Sequence, residues 1–326
     1  MLFTRRELCK AAVAALPAAG LMARTDSKFG GVQIGIIVSP TNFRDIPLPA
    51  DQLLKVLVDA GISGIELQDV RAESYAGAPN GVTGAYPQIG GLGNRARPGV
   101  REPLTPEQQE ARRKAAQELK SWRLSVSIDK FKSLRKLYNQ AGVKIYAFRL
   151  ASLPATISDD ELRYFFDVAQ ALGSNQITVE LPTNADLTQR VGAYGARRKI
   201  RLGYHNHTQV NFNSWDTALA QSSYNGINFD VGHFAAAVSQ SPVPFIEQHH
   251  ERITSLHLKD RKFGSNGGRN TPWGQGDTPL KEILQLVKRK KYKFPASIEL
   301  EYPIPEGSST VAEIRKCLQF CKDALA

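Results

Sequence analysis

The sequence predicts a (β/α)8 barrel, and three observations carry that prediction. Past residue 30, eight short β-rich runs alternate with longer helical stretches. Residues 30 to 326 offer room for such a barrel, which needs about 250 residues as one domain. Polar side chains recur at the ends of the runs, where a barrel builds its pocket. A doubly wound sheet has the same alternation, but no glycine-rich dinucleotide fingerprint follows the first run.

The first 23 residues are set apart from the fold. Thr4-Arg5-Arg6-Glu7-Leu8-Cys9-Lys10 is a twin-arginine pattern, and an alanine-rich stretch runs from Ala11 to Met22. A positive start, a weak apolar stretch and small residues near Ala23 make residues 1–23 a twin-arginine signal peptide. The expected location is therefore the periplasm, or otherwise outside the cytoplasm, with no membrane partner once the signal is removed. The barrel domain is assigned to residues 30–326.

Strand one is the apolar run Val32 to Val38, just after Gly30-Gly31. Asp51 to Ala60 has apolar residues at helical spacing, and Gly61 stops it. Strand two is Gly64 to Gln68, strand three Lys144 to Leu150 and strand four Gln176 to Glu180. Helices fill Asp159 to Leu172, closed by Gly173, and Asp186 to Lys199. Strand five is Arg201 to His205, strand six Gly226 to Asp230 and strand seven Thr254 to Leu258. A helix from Pro279 to Lys290 leads to strand eight, Ala296 to Leu300, and Val311 to Leu325 closes the chain. Residues 69–105 break the rhythm with seven glycines and four prolines, which predicts a long loop insertion on the pocket face, read as a substrate lid.

Composition excludes several classes. The 326 residues carry 42 Lys+Arg against 31 Asp+Glu, a formal net charge of +11. The basic residues scatter, with small knots at Arg112-Arg113-Lys114 and Lys288-Arg289-Lys290-Lys291, so no nucleic-acid partner is expected. The charge argues for solubility and for anionic partners at most. Three cysteines rule out a disulfide scaffold and a four-cysteine zinc module; Cys317 and Cys321 sit four apart on the last helix and carry no assigned chemistry. No apolar run reaches the roughly 20 residues of a membrane span.

The strand ends hold the candidate chemistry. Glu66 lies on strand two and Glu180 ends strand four. His205, Asn206 and His207 end strand five, and Asp230 ends strand six with His233 three residues on. His257 is on strand seven, followed by Lys259 and Asp260, and Glu299 and Glu301 are on strand eight. Four of the six histidines fall in this set. Carboxylates converging on one mouth repel unless a cation sits between them, and a mixed histidine and carboxylate donor set suits Mn, Zn, Co or Fe better than Mg. One divalent metal ion is therefore expected. Glu301, two residues from Glu299, points to the same side and is a supporting group or a solvent-facing rim carboxylate.

These residues carry a resemblance. Tyr204-His205-Asn206-His207, Phe229-Asp230-Val231-Gly232-His233, Leu256-His257-Leu258-Lys259-Asp260, Pro272-Trp273-Gly274-Gln275-Gly276 and Ser297-Ile298-Glu299-Leu300-Glu301 follow one another in order. In that order the chain resembles the xylose isomerase-like TIM barrels of the sugar phosphate isomerase/epimerase superfamily, which includes AP-endonuclease family 2 enzymes. The resemblance implies one divalent metal held by Glu, Asp, His and Glu in the epimerases. Asp230, His257 and Glu299 match the last three, and His205 stands where the first Glu is expected. Glu180, one strand earlier, is a candidate to supply the missing charge, and either His205 or His207 completes the metal set.

What the resemblance implies chemically is a sugar or keto-sugar isomerase or epimerase acting through an enediolate on a small carbohydrate. Glu299 is the expected base, Lys259 or His233 the group that stabilises the enediolate or protonates a leaving oxygen, and His205 or His207 the proton donor on the other face. The same intermediate serves a lyase or dehydratase on a keto-sugar, keto-glycoside or inosose. A nuclease and a non-catalytic carbohydrate-binding barrel are lesser alternatives. Trp273, in the loop after strand seven, and Glu66 are the expected substrate contacts. A homo-oligomer is left open.

Overall fold

The computed structural model describes residues 25–79 and 104–326. The expected signal peptide and the centre of the expected lid lie outside the described residues.

Eight parallel strands close into a barrel: β1 (Val32–Val38), β2 (Gly64–Gln68), β3 (Lys144–Arg149), β4 (Gln176–Glu180), β5 (Arg201–His205), β6 (Asn225–Asp230), β7 (Ile253–Leu258) and β8 (Ala296–Ile298). β8 pairs with β1, Ala296 opposite Ile34, which shuts the ring. A two-residue strand, Lys28–Phe29, runs antiparallel to the start of β1. The strands read as near-continuous apolar runs because helices cover their outer face while side chains fill the inside.

The helices in chain order are α1 (Ala50–Ala60), α2 (Asp69–Tyr75), α3 (Pro106–Ser125), α4 (Asp129–Gln140), α5 (Asp159–Leu172) and α6 (Ala185–Arg198). Then come α7 (Asp216–Gln221), α8 (Val231–Val238), α9 (Val243–His249), α10 (Leu280–Lys290) and α11 (Thr310–Leu325). The expected stops hold: Gly61 and Gly173 end α1 and α5 with φ of 89° and 75°, the left-handed conformation that glycine adopts without a Cβ penalty. Ser158 and Glu161 form a reciprocal cap that starts α5. The barrel interior is packed: Tyr146 from β3 crosses it to hydrogen-bond Ser297 at 2.7 Å. A Cβ at residue 35 would lie 2.3 Å from the Tyr146 hydroxyl, so only Gly35 leaves room for that ring.

Two regions correct the sequence reading. Residues 69–75 are helix α2, not loop. It buries charged residues beside Val70 and Ala72: Arg71 donates to the carbonyls of Ile46 and Phe43, and Glu73 pairs with Arg123 at 2.7 Å. No apolar period could mark it. The second region is α3, a helix outside the expected elements; only its Leu119 is buried, and its sequence signals are the reciprocal Thr105–Gln108 cap and Pro106 at its start.

Candidate active site

Adjacent parallel strands bring their C-terminal ends to one rim, so residues far apart in sequence meet there. Asp230 at the end of β6 lies in register with His257 on β7, and Ser297 of β8 lies opposite His257 on its other side. One ligand atom from each of His205, Asp230, His257 and Glu299 falls within 4.8 Å of the others. The first three residues are fully buried and Glu299 nearly so.

Four atoms of this cluster are buried without a hydrogen-bond partner: His205 Nε2, Asp230 Oδ2, His257 Nδ1 and Glu299 Oε2. Burying one such group unpaired costs about 1–3 kcal/mol. Four of them aimed at one point fit a divalent cation, and two imidazoles with two carboxylates suit a transition metal.

The other polar atoms of the same side chains are tied down. Asn228 donates its amide to Ser255 Oγ at 2.7 Å, so its carbonyl oxygen faces His205 Nδ1 at 2.8 Å. That assigns the His205 proton to Nδ1 and leaves the Nε2 lone pair for the centre. Glu66 Oε2 holds His257 Nε2 at 2.9 Å and Thr178 donates to Glu66 Oε1 at 2.6 Å. Asp230 Oδ1 accepts the His233 backbone N–H at 2.7 Å, capping α8, while Asn206 bonds the backbone of Asp230 on both sides.

Charge follows from this packing. Burial, with Arg149 and His257 nearby, holds His205 well below the usual histidine range. Burial raises Asp230 to about 6 against the pull of Lys259. Burial opposes charge on His257, but Glu66 and Glu299 lift it to about 9. Burial also works against Glu299, yet Lys259 and His257 hold it well below the usual carboxylate range. A proton on His257 partly balances the carboxylates, and a metal held there would displace it.

Lys259 closes one side. Its ammonium lies 3.0 Å from Asp230 Oδ2, 3.1 Å from Glu299 Oε2 and 2.7 Å from Glu301 Oε2. The first two contacts are ion pairs by distance but fall outside hydrogen-bond alignment, so those oxygens stay open to the centre. Burial opposes the Lys259 charge, and the three carboxylates overcome it and raise its pKa. Gly232 makes room: a Cβ there would lie 2.4 Å from Lys259 Cγ. His233 has Arg261 Nη1 against Nδ1 and Lys259 Nζ 2.9 Å from Nε2. A guanidinium and an ammonium only donate, so both ring nitrogens face donors and compete for the one lone pair of the neutral ring. Glu301 is thus a supporting group at the mouth.

His207 sits above this layer, its ring centroid 4.8 Å from His205 and 4.7 Å from His233. Glu180 holds His207 Nδ1 at 2.9 Å, and Arg149 donates to Glu180 at 2.6 Å. His205, His207 and His233 also bring nitrogens within 4.8 Å of one another. That trio makes a poor second metal site, because both His233 nitrogens face cationic donors.

The structure places three of the expected residues as follows. Glu180 is outside the four-donor cluster, since its two oxygens serve Arg149 and His207. Glu66 is fully buried and bonds His257 and Thr178, so it orients a ligand and does not face substrate. Trp273 packs edge-on against Phe320 of α11 at 5.6 Å, and its loop is tied to the rim by Asp260, which accepts the N–H groups of Gly274 and Gly276. Asn228, Arg149 and Arg261 are supporting residues the sequence reading passed over; Arg149 was legible as the polar end of β3.

A family model described as "Xylose isomerase-like TIM barrel" matches residues 93–323. No curated protein sequence matches the chain. Among solved structures, a sugar phosphate isomerase/epimerase from Parabacteroides distasonis is 16% identical with a TM-score of 0.56, over 95% of this chain and 100% of that one. The probable 3-DHS dehydratase AsbF from Bacillus anthracis is 13% identical with a TM-score of 0.58, over 87% and 97%. A D-psicose 3-epimerase solved with D-fructose is 11% identical with a TM-score of 0.57, over 90% and 99%. At these identities the likeness establishes the fold alone.

Proposed function

Because the chain belongs to the family of xylose isomerase-like TIM barrels, we propose that it is a divalent-metal-dependent isomerase or epimerase that acts on a small sugar or keto-sugar through an enediolate. The observation that carries this reading is the convergence of four buried donor atoms from His205, Asp230, His257 and Glu299 that no hydrogen bond uses, although His257 Nδ1 and Lys259 lie about 3 Å from the carboxylates as ion pairs. A bound divalent cation would polarise a substrate carbonyl and acidify the proton on the neighbouring carbon. Glu299, kept ionised, is placed to take that proton. The Lys259 ammonium, 3.1 Å from Glu299 Oε2, supplies a donor for the developing oxyanion, and His233 lies beside it at 2.9 Å. His207, oriented by Glu180, returns a proton from another side of the pocket.

A lyase acting on the same class of substrate is the second reading. What favours it is His205 at the position where the epimerases carry a glutamate. The group facing Glu299 is then an imidazole or the Lys259 ammonium, both of which can protonate a leaving oxygen. We also propose that the protein is exported by the twin-arginine route, on the strength of Arg5-Arg6 and the alanine-rich stretch behind them.

The test is metal analysis together with exchange of substrate α-protons for deuterium across a panel of keto-sugars and keto-glycosides. About one transition metal per chain, lost in His257→Ala, and exchange abolished in Glu299→Gln support the proposal. Exchange with an unsaturated product selects the lyase. No metal after reconstitution with Mn, Zn and Co would sink the catalytic account.

A further inference from the structure

The opposite end of the barrel holds a cavity of about 700 Å3, within the size range of small-molecule sites. It is built at the starts of the strands, where Lys144 opens β3, Arg201 opens β5 and the segment Lys291 to Pro295 leads into β8. The catalytic candidates all lie at the other rim. Five cationic side chains line the cavity, Lys28, Lys144, Arg201, Lys291 and Lys293, against one carboxylate, Glu251.

None of the four lysines has an ion-pair or side-chain hydrogen-bond partner among the described residues. Arg201 spends its Nη2 on the backbone carbonyls of Glu251 and Arg252, each at 3.1 Å. Burial, and then the neighbouring Arg252, lower the Arg201 pKa. The N-terminal face of such a barrel ordinarily serves stability, and stability is poorly served by like charges gathered around one concavity. Unpaired lysines also occur singly elsewhere on the surface; what sets this cavity apart is that five cationic side chains line one concavity with one carboxylate.

We propose that this cavity is a binding site for a small multivalent anion, either a phosphate ester or a polycarboxylate, separate from the catalytic mouth. Both ligand classes present clustered anionic oxygens, which lysine and arginine donors meet with charge-assisted hydrogen bonds. The concave shape favours a small molecule over a flat lipid surface. The exposed large hydrophobic side chains among the described residues are Leu124 on α3 and Phe212 in the loop after β5, and neither lines this cavity, so there is nothing here to insert into a bilayer. Of the basic run 288–291, only Lys291 reaches the cavity.

The experiment is isothermal titration of the purified protein with inorganic phosphate and, separately, tricarballylate, both weak metal chelators. It is run at about 0.15 M salt, where exposed charges are screened beyond ~8 Å. The double variant Lys144→Gln/Lys291→Gln is compared with a control of equal charge change, Arg112→Gln/Lys114→Gln on exposed α3. All four side chains are exposed, so both proteins should fold, and thermal unfolding checks it. At least about a tenfold loss of affinity in the cavity variant, with the control unchanged, supports the site. Whether phosphate or tricarballylate is the anion so affected names the ligand class. Equal loss in both variants would show diffuse attraction and overturn the proposal. So would no binding of either anion, or binding confined to phosphatidylglycerol vesicles or duplex DNA.

Discussion

Replacing Glu66 by Gln removes the charge that keeps His257 protonated in the metal-free protein while preserving the side-chain outline. Glu66 Oε2 lies 2.9 Å from His257 Nε2 and both are fully buried. Against burial, Glu66 and Glu299 together raise His257 to about 9. In the unfolded chain histidine titrates near 6.5. A histidine whose folded pKa is raised contributes stability that is fully present below about 6.5 and lost as the pH rises through about 9. The gap corresponds to about 3 kcal/mol. Without the Glu66 charge, only Glu299 still opposes burial, and a large part of that contribution disappears. Urea unfolding of chelator-treated protein at pH 7 and at pH 10 reads it directly. The variant should be less stable than wild type by about 1–2 kcal/mol at pH 7 and nearly equal at pH 10. Groups that titrate in both proteins cancel in the difference. A deficit of the same size at both pH values would refute the assignment of a proton to His257. With metal restored, the variant should also bind it about 10–100-fold more weakly, because the ring loses the partner that fixes its orientation.

Other substitutions separate the roles assigned above. Glu180→Gln should leave metal content intact while lowering turnover about tenfold or more, since Glu180 orients His207 and lies outside the donor cluster; loss of the metal would instead make Glu180 a ligand. Gly232→Ala should cost about 1–3 kcal/mol and displace Lys259, whose Cγ lies 2.4 Å from the added Cβ, so thermal stability and turnover fall together. If that variant keeps wild-type turnover, Lys259 does not act where it is placed. Arg5→Lys/Arg6→Lys should hold the protein in the cytoplasm on fractionation, and export of this variant at the wild-type level would remove the twin-arginine reading.

The sequence by itself determined the barrel. Its eight strands were legible to within a residue or two because parallel strands buried on both faces are short apolar runs, and Gly61 and Gly173 end their helices by a local backbone requirement. It also marked His205, Asp230, His257 and Glu299, because polar residues at strand ends stand out against apolar runs. Helix α2 stayed hidden because the residues it buries include Arg71 and Glu73, satisfied by partners that only the folded chain supplies. Tertiary structure alone decided which carboxylate does what. Glu66 and Glu180 look alike as strand-end acids, yet closure of the ring puts Glu66 behind His257 and Glu180 against Arg149 and His207. The same closure gathers Lys28, Lys144, Arg201 and Lys291 around one cavity. Burial depth and position around the ring are set by how strands far apart in the chain meet, and no local pattern encodes that distance.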